Sequence, residues 1–183
     1  MPRIDPVSTD SPSEAVAPMF EGLTSKLGRV PNIYATLANA PAVLKGTLAA
    51  SGTLGETSLP ADVREQIALT VGGANRCNYC AAAHTAIGKM NGLSDEDTQA
   101  ALAGSASDAK TQAALTFARN ILDREGFVTD EQIAAVKAAG YGDQQVIEIV
   151  AVVVFNIFTN YLNHVTDPVV DFPEVTIPEA TSA

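Results

Sequence analysis

Apolar residues recur at helical spacing through most of this chain, and no stretch alternates between apolar and polar for long enough to indicate a strand. The first such segment carries Ala15, Met19, Leu23 and Leu27, spaced four residues apart, and it breaks at Gly28. Gly, Pro, Ser and Asp residues separate the segments, as is typical of helix ends. The spacing therefore predicts an all-α fold.

Start and stop signals divide the rest of the chain into eight further helical segments. These segments are expected at 32–39, 41–55, 58–74, 75–91, 94–102, 108–125, 129–139 and 143–164. Ser58 is expected to cap the 58–74 helix, with Pro60 in its first turn. Asn75 is expected to cap the next helix, which then carries Cys77 in its first turn. At 183 residues the chain suits one helical-bundle domain, 1–183, with a core large enough to be stable without disulfides or structural metals.

The most apolar stretch runs from Val146 to Phe158 and is interrupted by Glu148 and Asn156. It is too short to cross a bilayer, so we interpret it as a buried helix. The first ten residues contain no apolar core of the kind that a secretory signal needs. We therefore expect a cytoplasmic protein without a membrane anchor.

A proline-rich tail follows the last helix, over residues 167–183. Its three prolines, Pro168, Pro173 and Pro178, exclude a helix and favour an extended arm that could lie on a neighbouring subunit. The arm and the apolar stretch 146–158 both offer surface that one small domain does not cover. We therefore expect a homo-oligomer.

The charge balance limits the partners of this chain. It has 11 basic against 21 acidic residues and a formal net charge of -10. Such a charge repels phosphate backbones and anionic lipid head groups. Nucleic acid and membrane surfaces are therefore not expected as partners.

Two cysteines, a histidine and a glutamate form the most informative group in the chain. On one helix Cys77, Cys80 and His84 stand at positions i, i+3 and i+7, which places them on one face. A helix start stabilises a thiolate, and His84 lies one turn beyond Cys80 but about two turns beyond Cys77. Glu65 stands in an otherwise apolar stretch and could orient and charge the imidazole. The four residues predict an activated sulfur nucleophile.

Other interpretations of these residues stay open at this point. Cys77, Cys80, His84 and Glu65 could instead supply four zinc ligands, although structural zinc sites usually recruit a second ligand pair from a distant segment. Tyr79, between the cysteines, is more often a packing residue than a chemical one. A second histidine, His164, is explained by a favourable contact near a helix end and is left out of the site.

The spacing Glu65, eleven residues, Cys77-x-x-Cys80, three residues, His84 resembles the signature of the alkylhydroperoxidase D-like branch of the carboxymuconolactone decarboxylase family. Further similar phrases are ProAsnIleTyr at 31–34, LeuPro-x-x-x-ArgGlu at 59–65, AsnTyrLeuAsnHis at 160–164 and AspPhePro at 171–173. The resemblance implies an all-α fold with a family core at about 40–125. It also implies homo-oligomers whose active sites lie at or near subunit contacts.

Carried over by position, the resemblance makes Cys80 the peroxide-attacking cysteine and Cys77 the resolving one. Glu65 and His84 become the proton relay. Tyr79 is a departure, because the alkylhydroperoxidase has a histidine immediately before the second cysteine. This difference puts the rate and the reductant in question.

The expected function is that of a thiol-dependent peroxidase or disulfide oxidoreductase that reduces hydrogen peroxide or organic hydroperoxides. Sulfur carries the electrons, so we expect neither a cofactor nor a metal, and an external dithiol must reset the disulfide. Two alternatives remain. One is a decarboxylase-like lyase in which the cysteines are incidental, and the other is a non-catalytic zinc or redox-sensing module.

Overall fold

The computed structural model describes residues 1–179, and within that range the chain folds into nine α-helices and no strand. The helices are α1 (Ala17–Leu27), α2 (Asn32–Leu37), α3 (Pro41–Gly55), α4 (Ala61–Ala74), α5 (Asn78–Met90), α6 (Asp95–Leu102), α7 (Ala109–Asp123), α8 (Asp130–Ala138) and α9 (Asp143–Thr166). The prediction of an all-α, single-domain fold is confirmed.

Helix α4 lies at the centre of the bundle and packs against α5, α6, α7 and α9. Ile67, Leu69 and Val71 are all fully buried, because this helix is apolar on nearly every side. Two glycines near its end allow close packing. A Cβ on Gly73 would come within 2.1 Å of the Leu102 carbonyl oxygen, and one on Gly72 would lie 3.5 Å from Cys80 Cβ. These glycines let α6 and α5 approach the α4 backbone.

The long helix α9 buries one face only, which corrects the expectation of a fully buried helix. Its inner face carries Ile149 and Val153, both fully buried, while Val154 and Phe158 on the outer face are 53% and 41% exposed. Helix α9 lies at the edge of the bundle, so only its inner face packs against other helices. By length and composition alone α9 could also cross a membrane, but its inner face packs against α4 and α7.

Two helix starts differ from the sequence expectation. Ser58 caps no helix: its backbone N–H and hydroxyl both donate to the Glu148 carboxylate, and Pro60 precedes α4 instead. Asn75 ends α4 rather than beginning α5. Cys77 occupies the N-cap of α5, where its sulfur accepts a hydrogen bond from the Cys80 backbone N–H. A cysteine can replace the usual capping oxygen because its sulfur also accepts.

The tail is extended over its described part, residues 167–179, while residues 180–183 of the expected arm lie outside the described range. Asp167 ends α9 with a left-handed backbone, at φ 50°, and turns the chain back. The arm then packs on its own chain, where Asn32 donates through its side chain to the Val169 carbonyl and through its backbone to Asp171. Val175 and Ile177 pack against the main core.

Candidate active site

Cys77 and Cys80 are joined by a disulfide at the start of α5, with their Cα atoms 5.3 Å apart. The turn from α4 into α5 passes through Arg76, which has a left-handed backbone at φ 54°. This turn is held by a hydrogen bond from the Cys77 N–H to the Gly72 carbonyl, over 2.9 Å. The disulfide is therefore fixed directly to the end of the central helix.

The disulfide is buried. Cys77 is 1% and Cys80 3% exposed, and they share an apolar cluster with residues of α1, α2 and α3 such as Phe20, Leu37 and Leu44. The sulfur atoms therefore lie in a dry environment, in which each polar contact has a larger energetic effect than it would have in water.

Glu65 of α4 and His84 of α5 form a hydrogen-bonded pair, with His84 Nδ1 2.8 Å from Glu65 Oε2. The side chain of His84 is 23% exposed and that of Glu65 is 16% exposed, so the pair retains access to solvent. With a carboxylate on Nδ1, this nitrogen carries the proton, and Nε2 is the atom left for chemistry. Within residues 1–179 no hydrogen bond joins His84 to either sulfur of this disulfide.

Asn163 of α9 is the side chain that donates to the disulfide, and the sequence interpretation missed it. Its Nδ2 lies 3.2 Å from Cys80 Sγ and 3.9 Å from Cys77 Sγ. The available signal was a set of asparagines at helical spacing along the apolar face of α9: Asn156, Asn160 and Asn163. A buried amide in such a position needs a partner, and that need indicates a site.

Tyr79 joins helix α5 to the arm, in addition to the packing role expected of it. Its hydroxyl donates to Asp171 Oδ1 over 2.7 Å and accepts from the Ile33 N–H over 3.1 Å. Burial, followed by the hydrogen bond to the Asp171 carboxylate, raises the pKa of Tyr79 well above its usual range. Arg29 forms an ion pair with the same carboxylate and lies over the ring of Phe172.

The other candidates from the sequence lie apart from this group. The side chain of His164 is exposed and stacks on Tyr161, while its carbonyl oxygen accepts from Arg3. Among the described residues, no group of three or more His, Cys, Asp or Glu side chains is arranged to hold a metal ion.

Residues 41–124 match the model of the carboxymuconolactone decarboxylase family, and that range includes all four predicted site residues. None of the curated proteins matches the chain by sequence.

Solved structures share the fold over nearly the whole chain. A peroxidase-related protein from Silicibacter sp. TM1040 is 24% identical, with a TM-score of 0.84 and 93% of each chain covered. A peroxidase-related protein from Ralstonia eutropha JMP134, described by its alkylhydroperoxidase AhpD core, is 22% identical, with a TM-score of 0.84 and 91% of this chain and 90% of that chain covered. The debrominase Bmp8 is 20% identical, with a TM-score of 0.78 and 92% and 91% covered. At these identities the likeness establishes the fold.

Proposed function

We propose that this chain, whose residues 41–124 match the model of the carboxymuconolactone decarboxylase family and whose fold is AhpD-like, is a thiol-dependent peroxidase of that family. Its substrate is hydrogen peroxide or an organic hydroperoxide. The observation that carries the proposal is the Cys77–Cys80 disulfide, with the His84–Glu65 pair on the same helix and its neighbour. Two thiols this close can store and release two electrons without a cofactor.

In the proposed reaction Cys80 is the attacking sulfur and Cys77 the resolving one. The Cys80 thiolate attacks the oxygen of R–O–O–H that carries the hydrogen, the O–O bond breaks, and the RO group leaves with the electron pair and takes up a proton. Cys80 becomes a sulfenic acid. The Cys77 sulfur then attacks the Cys80 sulfur, and water leaves. Sulfur is oxidised by two electrons and the peroxide is reduced by two.

His84 is proposed to move the proton, and Glu65 to hold His84. In the reduced protein Nε2 accepts the Cys80 thiol proton, directly or through one water, and returns it to the departing RO group. Glu65 accepts from Nδ1–H, which fixes the tautomer and stabilises the charged ring. The partial exposure of both side chains supports this role, because a proton relay must also exchange with solvent.

The proposed reductant is an external dithiol, which attacks the disulfide and leaves as its own disulfide. The cytoplasm, where thiols are kept reduced, is the compartment we propose for this cycle. The near-complete burial of both sulfurs implies that the covering segments must move before a dithiol can reach them.

A thiol count tests the peroxidase proposal. The fully reduced protein is mixed with one equivalent of hydrogen peroxide or cumene hydroperoxide, and free thiols are titrated. We expect both thiols of each chain to disappear and the mass to fall by two hydrogens. A protein with Cys77→Ser and Cys80→Ser is the control and should consume no peroxide. Retention of both thiols in the unsubstituted protein would exclude the proposal.

We also propose that the chain assembles with copies of itself through the outer face of α9. Val154, Phe158 and Val165 are exposed there, in a row that water solvates poorly. Light scattering of the full chain should give a multiple of the 19.0 kDa monomer mass. Phe158→Glu should lower that mass, while Met90→Glu, at an exposed position on α5, should not. A monomer at micromolar concentration would contradict the assembly.

A further inference from the structure

A row of three buried asparagines runs along the inner face of α9 and ends at the disulfide. Asn156, Asn160 and Asn163 are 5%, 0% and 5% exposed. A buried amide destabilises the folded state unless its nitrogen and oxygen find partners. Each amide therefore needs an acceptor for its nitrogen and a donor for its oxygen.

The three amides differ in their partners. Asn156 donates to the Val152 carbonyl of its own helix, which is a local arrangement. Asn160 accepts from the side chain of Asn75 at the end of α4, and its Nδ2 is buried with no hydrogen-bond partner among the described residues. Asn163 donates across to Cys80 Sγ, and its Oδ1 is buried with no hydrogen-bond partner. This unpartnered oxygen belongs to the same planar amide as the nitrogen that donates to the sulfur.

We propose that Asn163 is a catalytic residue that binds both the attacking sulfur and the hydroperoxide. Its Nδ2 donates to the Cys80 thiolate, and its Oδ1 accepts the hydrogen of the R–O–O–H group. The inference rests on the peroxidase function proposed above and names a substrate contact for it. The buried, unpartnered oxygen carries the argument, because it needs a donor that the described residues do not supply.

The proposed contacts follow the electrons through the step. The hydrogen of the hydroperoxide sits on the oxygen that the sulfur attacks, so an acceptor next to the sulfur places that oxygen within its reach. When the S–O bond has formed and the O–O bond has broken, the same hydrogen belongs to the sulfenic acid and still points to Oδ1. The departing RO group takes its proton from His84. Asn163 changes neither charge nor protonation state.

The two sulfurs of the disulfide differ in their distance from the Asn163 amide, and this difference favours Cys80 as the attacking atom. Cys77 Sγ accepts from the Cys80 backbone N–H over 3.3 Å at the start of α5. Cys80 Sγ accepts from Asn163 Nδ2 over 3.2 Å, whereas the same nitrogen is 3.9 Å from Cys77 Sγ. Cys80 Sγ is therefore the nearer of the two sulfurs to a side chain that also offers an acceptor for the substrate.

The test compares two leucine substitutions on the same face of α9, each in a Cys77→Ser protein so that Cys80 is the only thiol. Asn163→Leu removes the donor and the acceptor and retains a side chain that branches at Cγ. Asn156→Leu is the matched control, since Asn156 is equally buried but bonded to its own helix. Asn163→Gln retains an amide and serves as the conservative variant. The helical circular dichroism of each protein is checked first, and Asn163→Ser replaces Asn163→Leu if that protein does not fold.

Two readouts separate this inference from the peroxidase proposal. The first is the pH midpoint of Cys80 alkylation by iodoacetamide, which needs no peroxide. Asn163→Leu should raise it by about one unit or more, because a hydrogen bond to a charged group is lost. Asn156→Leu should leave it unchanged. Equal midpoints in the two leucine variants would overturn the thiolate contact even if the protein proves to be a peroxidase.

The second readout is the rate at which hydrogen peroxide converts Cys80 to a sulfenic acid, measured at a pH above all the midpoints so that every variant is a thiolate. Asn163→Leu should be slower than Asn156→Leu by about ten-fold or more, and Asn163→Gln should lie between them. Equal rates would overturn the substrate contact. If the Cys77→Ser parent itself forms no sulfenic acid, the peroxidase proposal fails and the substrate contact fails with it, while the midpoint comparison still decides the sulfur contact.

Discussion

The two sides of the Cys77–Cys80 disulfide differ in exposure and in chemistry. On the side of α4 and α5 lie Glu65 and His84, which are titratable and retain 16% and 23% of their side-chain exposure. On the side of α9 lies Asn163, which is neutral and 5% exposed. Proton exchange and sulfur binding therefore require side chains with opposite degrees of solvent exposure. A relay must reach water, whereas a fixed donor works best where water is excluded.

Removal of one sulfur should have the largest effect. Cys80→Ser should abolish peroxide consumption, because it removes the atom next to both sides of the site. Cys77→Ser should consume one equivalent and stop at the sulfenic acid. The measurement is peroxide loss in a single turnover, with trapping of the sulfenic acid by dimedone. An inert Cys77→Ser protein, with sulfenic acid formed by Cys80→Ser instead, would reverse the roles of the two cysteines.

The relay side should show the next largest effect. His84→Ala should slow the first step by roughly two to four orders of magnitude near neutral pH, the usual contribution of general acid–base catalysis. Stopped-flow measurement at several pH values checks this. The difference should shrink at high pH, where hydroxide takes the thiol proton without help. His164→Ala, at the exposed histidine, is the control and should leave the rate unchanged. A loss of rate that persists at high pH would point to a structural effect.

Removal of the carboxylate that binds the imidazole should have a smaller effect. Glu65→Gln should lower the same rate by about ten-fold, less than His84→Ala, because the ring remains and loses only its orienting carboxylate. Glu148→Gln is a suitable control, since the carboxylate of Glu148 accepts hydrogen bonds from Ser58 and not from His84. An effect of Glu65→Gln as large as that of His84→Ala would mean that the carboxylate itself moves the proton.

The smallest expected effect lies at Tyr79, the buried tyrosine between the two cysteines. Tyr79→Phe removes the hydroxyl that joins α5 to the arm and should lower the free energy of unfolding by about 1–2 kcal/mol. Tyr161→Phe, at an exposed tyrosine, should change it by much less. Urea unfolding of the reduced and of the oxidised protein measures both. No loss for Tyr79→Phe would show that Asp171 is held by Arg29 and Asn32 alone.

The same variant has a pH signature. The pKa of Tyr79 is raised in the folded chain, while the unfolded chain loses the proton near the ordinary tyrosine value of about 10. Below that pH both states are protonated and the stabilisation is complete. As the pH rises above it the unfolded state is favoured, so stability falls. Tyr79→Phe should therefore lose less stability than the unsubstituted protein between pH 9 and about 11. Tyr34, whose pKa is also raised by burial, remains in both.

The sequence predicts the fold and one side of the site, because both rest on local spacing. Helical periodicity needs no knowledge of distant contacts, and Cys80 and His84 lie on one helix. Asn163 could not be found in this way. It lies 83 residues from Cys80, and the two meet only because α9 packs against α5.

The errors in the sequence interpretation have the same origin. Ser58 carries a good capping side chain, but Glu148 of α9 takes its hydrogen bonds. The stretch 146–158 is apolar except at Glu148 and Asn156, and composition alone could not show that α9 lies at the edge of the bundle with one face uncovered. Whether a residue caps a helix, and whether a helix face is exposed, depends on tertiary contacts. These contacts cannot be read from the local sequence.

The prolines of the arm have a thermodynamic consequence. Pro168 and Pro173 restrict the backbone of the free tail, so the tail loses less conformational entropy when it docks than a flexible tail of the same length would lose. The few contacts of Asp171 and Phe172 with Arg29 and Tyr79 can therefore hold it in place. A smaller entropy loss therefore lets these contacts keep the arm docked against the apolar cluster that contains the disulfide.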